Sequence, residues 1–184
     1  MSHPARNISH GSLRRMYFES TKQMKKHLGQ LDKWLEMAGT LAETKKFDAK
    51  NFMGLRLAVD QFPFARQVQV VCDTAKTAAA RLGGKDAPAH PDTEQTLEEL
   101  RARIKTVVAY LDSFRESDFA GAATRVITQP RWEGKTMTGA HYFLEHAQPN
   151  FYFHLTTVYA ILRHNGVGLG KRDYLGALTQ AAPA

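Results

Sequence analysis

From Met16 to about Leu41 apolar residues recur at Met24, Leu28, Leu31, Leu35, Ala38 and Leu41, in steps of three and four. Such steps return to one face of a helix, while Lys22, Lys25, Lys26, Lys33 and Glu36 fall mostly on its other faces. A single-striped helix has nothing to bury against by itself, so the chain must supply partners with matching stripes. It does. Phe64, Val68, Val71, Ala75 and Ala78 line a second helix, predicted from Asp60 or Pro63 to Arg81 and stopped by Gly83-Gly84. Leu97, Leu100, Ile104, Val107, Val108 and Leu111 line a third, for which Asp92 would be the cap and Gln95 the returning half of a capping box. The outer side of that helix, with Glu94, Glu98, Glu99, Arg101, Arg103 and Lys105, reads as a solvated face. The last long helix starts or kinks at Pro149 and ends at His164-Asn165-Gly166, with Gly166 as left-handed cap and Val167 as the apolar residue closing it.

Two shorter features complete the pattern. Asp48 can cap a helical turn through Met53. Thr124 to Thr128 is rich in β-branched residues, Gln129-Pro130 breaks it, and Trp132 to Lys135 suits a turn before Thr136-Met137-Thr138. A short β-hairpin is predicted there, followed by a helical stretch from Thr138 through His146. The fold class is all-α, a four-helix bundle with a short β-hairpin insertion before the last long helix.

At 184 residues and 43% hydrophobic, the chain suits one domain with its own core. No apolar run approaches the roughly 20 residues of a membrane span, and no apolar core of a secretory signal is present. Cys72 is alone and cannot form an internal disulfide, which fits a cytoplasmic location. The net charge is +7, but Arg6, Arg14 and Arg15 lie in an opening segment that contains no acid. Residues 1–15 therefore read as a disordered extension, 16–176 as the bundle and 177–184 as a frayed tail. No helix interleaves aromatics with bases, so neither nucleic acid nor membrane is an expected partner.

The chemistry concentrates on two helices. On the last one, Asn150, His154, Thr157 and Ile161 fall within about 60° of one another, bordering the apolar face, with Tyr152, Thr156, Tyr159 and Arg163 toward water. On the second, Asp60, Gln67 and Thr74 share an edge of the apolar side. If the two helices pack together, Asp60 or Gln67 can meet Asn150 or His154. Buried polar groups must find partners, so this set forms either a ligand pocket with His154 as its acid–base group or a closed network fixing helix register. Zinc requires three or four converging ligands, and only Asn150 and His154 carry the i, i+4 spacing. Gly166 to Lys171 is a glycine-rich helix exit without the Ser or Thr of a phosphate loop, and Cys72 reads as inert and buried.

The stretch Asp60-Gln-Phe-Pro-Phe-Ala-Arg-Gln-Val-Gln-Val-Val-Cys-Asp73, with Asn150 to His154, Tyr159 to Val167 and Gly170 to Gly176, resembles a bacterial and fungal family of unknown function, DUF1993, grouped with the DinB/YfiT-like four-helix bundles. The resemblance runs from about Met16 to Gly176. It implies a DinB-like bundle, often a homodimer, in a superfamily whose better-understood members are metal-dependent thiol transferases or isomerases. Those bind metal through a histidine on the second helix and a His-x3-His pair on the last. Here Asp60 to Arg81 holds no histidine and the pair is reduced to Asn150 and His154, so only His154 corresponds to a ligand. The expectation is a protein that binds an unknown small molecule in a central polar pocket lined by Asp60, Gln67, Asn150 and His154, with no cofactor and no firmly held metal. The alternatives are a divergent metal-dependent hydrolase or thiol transferase, and a helical dimerisation module without catalysis.

Overall fold

A computed structural model describes residues 10–180. Helix α1 spans His10–Lys45, α2 Phe64–Gly83, α3 Leu97–Asp112 and α5 Gln148–His164. The four pack as a ring in which α1 and α2 each touch both α3 and α5. Every predicted stripe residue of α2 is buried, as are Met24, Leu28, Leu31, Leu35 and Ala38 of α1. Among the described residues, no helix is long and apolar enough to cross a membrane.

Helix α1 begins at His10, so residues 10–15, expected outside the bundle, belong to it; residues 1–9 lie outside the described residues. Tertiary contact explains the extra turns. Leu13 packs on the core and the Arg14 guanidinium pairs with Glu116 at 3.0 Å. Helix α1 also carries a second buried strip, His27 and Trp34. Trp34 stacks on Tyr174 of α6 (Lys171–Leu175) and donates its indole N–H to the Asp173 carbonyl at 3.2 Å. That short helix shields Tyr159, which is only half-exposed despite its place on the expected wet side of α5. Residues 177–180 have no regular structure, and 181–184 lie outside the described residues.

The start of α3 differs from expectation. Thr96, not Asp92, is the cap: its hydroxyl accepts from the Glu99 N–H at 3.2 Å, and the Glu99 carboxylate accepts in return from the Gln95 N–H. Asp92 is drawn away to Arg66 and Arg103. The outer face of α3 is not wholly solvated either. Arg103 is 4% exposed and reaches Asp73, Asp92 and Glu94 at 2.9–3.0 Å, a buried guanidinium under partly exposed carboxylates in the seam between α2 and α3.

The hairpin is present in reduced form. Strands β1 (Val126–Ile127) and β2 (Met137–Thr138) pair antiparallel, Val126 with Thr138 and Ile127 with Met137. Thr138 then caps the helical turn α4 (Gly139–His141) by accepting from the His141 N–H at 3.3 Å. The chain does not restart at Pro149. Helix α4 runs through a π-helical turn, Tyr142–Ala147, directly into α5. In that turn the Gln148 N–H reaches back five residues to the Phe143 carbonyl. A proline ring crowds the carbonyl four residues before it, so the wider turn lets the helix pass Pro149 unbroken. Beyond His164, Gly166 takes φ 89° and the Val167 N–H donates to the Leu162 carbonyl at 3.0 Å, with the Val167 side chain buried.

Candidate functional site

A cavity of about 460 Å³ opens where α2, α5, the π-helical turn and the hairpin loop meet. Helix α2 contributes Arg66, Val70, Asp73, Thr74, Thr77 and Arg81, whose steps of three and four place them along one face. Helix α5 contributes Asn150 and His154, the π turn Tyr142 and His146, and the hairpin loop Gln129, Pro130 and Arg131.

The inner end is built on a directed chain of hydrogen bonds. The Gln67 amide N–H donates to the Phe62 carbonyl at 3.1 Å, which turns the amide oxygen toward α5. That oxygen accepts from His154 Nδ1 at 2.6 Å, so the imidazole proton sits on Nδ1 and the lone pair on Nε2. No described residue pairs with Nε2, and His154 lines the cavity. The Phe62 ring lies nearly parallel to the imidazole, with centroids 6.3 Å apart. Burial first, and then the Arg66 guanidinium, push the His154 pKa down to about 4. The ring is therefore a neutral acceptor at pH 7. Beside it, Asn150 donates to the Thr74 hydroxyl at 2.8 Å.

The outer end is cationic and aromatic. The Arg81 guanidinium lies over the Tyr142 ring and donates to its hydroxyl at 3.2 Å. Arg131 donates to His146 Nε2 at 2.6 Å, and the His146 ring stacks on Tyr142 with centroids 5.5 Å apart. Burial holds His146 below the ordinary histidine value, with Arg131 and Arg81 acting in the same direction. The one carboxylate lining the cavity, Asp73, is engaged by Lys76 and Arg103, each at 2.9 Å.

Of the residues expected to line the pocket, Asn150 and His154 do, with Thr74 beside them, whereas Gln67 is buried behind His154 and reaches the cavity only through its hydrogen bond. Asp60 does not. It is exposed in the turn before α2, because Pro63 starts the helix only at Phe64 and takes Asp60 out of register with Gln67. Arg66, Arg81, Arg131, Tyr142 and His146 were not foreseen. The spacing of Arg66, Asp73, Thr77 and Arg81 could have marked the cavity face of α2. Nothing local in sequence announces the hairpin loop or the π turn as a wall. His146 was hidden by the expected break at Pro149: once the helix runs on through the proline, steps of four from His146 to Asn150 and His154 set the three along one face.

These residues do not fit a divalent metal. His154 could offer Nε2, but the Asn150 amide is committed to Thr74 and the nearest strong charge is the Arg66 guanidinium. Among the described residues, no three His, Cys, Asp or Glu side chains converge as a metal site would require. Cys72 is no alternative nucleophile: it is fully buried, and burial above all pushes its thiol up to about 12.

The profile of a family described as "Domain of unknown function (DUF1993)" matches residues 16–175. A crystal structure of a DinB family member protein from Shewanella denitrificans is similar over 94% of this chain and 99% of that one, at 50% sequence identity and a TM-score of 0.90. Comparison with proteins of curated function finds no match.

Proposed function

The chain belongs to the DUF1993 family and has the fold of a DinB-like helical bundle, and from that premise we propose that it binds a small molecule in the cleft between α2 and α5. One observation carries this reading: the neutral Nε2 acceptor of His154, oriented by Gln67 and left without a protein partner at the cavity. That nitrogen is not sealed in the core, so a ligand atom can take the place of the water that otherwise meets it. His154 is then the hydrogen-bond acceptor for a ligand hydroxyl or N–H. The cavity lies within the ordinary size range of small-molecule sites.

The test is a fragment screen by saturation-transfer NMR on the native protein and on Val70→Trp, which fills the cleft from α2 without touching the hydrogen-bond chain. Binding to the native protein that disappears in the filled variant supports the reading. Absence of binding, or binding that survives the filling, refutes it.

A second reading, a homodimerising module, draws on the exposed apolar side chains Leu57, Val59, Phe62, Leu144 and Phe153. Light scattering at micromolar concentration tests it, and a monomer removes it.

A further inference from the structure

The cationic side chains of this protein fall into two groups. Arg103 faces three carboxylates and Arg101 faces Asp32 and Glu36. Arg81 and Arg131 face none: among the described residues, no acid lies within ion-pair distance of either. Their protein partners are neutral, the Tyr142 hydroxyl for one and His146 Nε2 for the other. Because those two rings stack at 5.5 Å, the pair brings both guanidiniums to the same end of the cavity.

The buried polar atoms left without a partner at that end are donors. An arginine carries five N–H groups, and each of these spends one on its ring partner. His146 accepts at Nε2, so its proton is on Nδ1, and that buried atom has no partner. The buried Nε2 of Gln129, also on the cavity wall, has none either. Asp73, the one acid nearby, is already shared between Lys76 and Arg103. Among the described residues, the end of the cleft thus carries two guanidiniums, unpartnered N–H groups and no free carboxylate.

We infer that the ligand enters this cleft with an oxyanion, a carboxylate or a phosphate, held between Arg81 and Arg131. A planar guanidinium fork matches such a group with paired N–H···O bonds, which a neutral carbonyl cannot return with charge. The remainder of the ligand extends toward Asn150 and His154, where a hydroxyl or N–H meets the Nε2 acceptor. The inference rests on the cleft being a ligand site.

Titration calorimetry of the whole chain with inorganic phosphate, succinate and uncharged 1,4-butanediol tests it, with Arg131→Gln and Arg81→Lys alongside. Arg131 is exposed, so its replacement leaves the fold intact, and Arg81→Lys keeps the charge while removing the fork. Phosphate or succinate should bind, butanediol should not, and each variant should weaken the anion by about tenfold or more. The tighter of the two anions identifies the group. Anion binding unchanged by both variants overturns the inference. So does neutral fragment binding lost in Val70→Trp with no anion preference, and in that case the cleft itself stands as a ligand site. No binding by any probe or fragment removes both.

Discussion

A β-carbon placed on Gly139 would lie 1.8 Å from the carbonyl oxygen of Ala122. At this point the hairpin turns into the helix that carries the outer wall of the cleft, and the Gly139 N–H donates to the Arg125 carbonyl at 2.8 Å. The opposing atom is backbone in a short helical turn, which cannot swing aside as a side chain would. Gly139→Ala should therefore cost about 3 kcal/mol or more, beyond ordinary overpacking, because the whole junction must shift. Urea denaturation gives the number. A loss under 1 kcal/mol would mean that the junction yields.

His154 and Gln67 form a coupled pair, and Gln67→Leu should strand the buried Nδ1–H of His154. The cost should be about 1–3 kcal/mol. A double replacement, Gln67→Leu with His154→Leu, should recover part of it, since neither polar group then remains. Strict additivity in that cycle would show that the hydrogen bond does not orient the ring.

The same histidine makes stability depend on pH in a stated direction. Unfolded, it titrates near 6.5; folded, burial and Arg66 hold it at about 4. Above the unfolded value both states are neutral and the group contributes no slope. As pH falls from about 6.5 to 4 the unfolded chain takes up a proton that the native state refuses, and stability drops by up to about 3 kcal/mol. His27, His90 and His146 are also held below the ordinary value, burial first in each, and act in the same direction. The Cε1–H resonance of His154 should stay at its neutral position down to about pH 4. His154→Leu should flatten the slope of stability over that interval.

Arg103 is held by Asp73, Asp92, Glu94 and the Pro91 carbonyl, and its side chain is 2% exposed. Arg103→Met would leave these carboxylates facing one another with Lys76 and Arg66 as the remaining cations. A loss of about 1–3 kcal/mol should follow, less than for a fully buried pair, because Asp73 and Asp92 keep a third or more of their side-chain surface in water. Thermal unfolding of the variant decides it, and near-native stability would mean that water replaces the guanidinium.

Cys72 should resist iodoacetamide at pH 8 in the native protein and react only on unfolding, since its thiol is buried and pushed up to about 12. Labelling at the native rate of a free thiol would contradict the placement of the α2 core.

What could be read from the sequence was what periodicity governs. The stripes of α1, α2, α3 and α5 follow from residue spacing, because burial of one face dominates the energetics of a helix. Gln67, Asn150 and His154 were legible for the same reason: polar residues on an apolar face must be reconciled somewhere. Arg103 was misread because a charged residue on a polar-looking face carries no local sign that three acids from α2 and a loop will enclose it. Asp92 was misassigned for a related reason, since two distant arginines outbid the helix terminus. Arg81 shares the helical spacing of the α2 cavity face, but Arg131 joins it through a loop, which has no periodic signature.

The π-helical turn at Tyr142–Ala147 has a consequence for how such a site can change. Six residues there do what an α-helix would do with about five, which leaves the wall of the cleft rotated by roughly 100° from where a regular helix would set it. Leu144 lies within this turn and is 60% exposed, so it has little part in the core. Deleting that one residue would tighten the spiral and rotate Tyr142, Phe143 and the hairpin before them against α5, while His146 keeps its four-residue step to Asn150. Because Tyr142 and Phe143 are buried in the core, and Phe143 packs edge-on against Tyr17, that rotation would strip packing from α1, so the extra residue ties the shape of the cleft to the stability of the bundle.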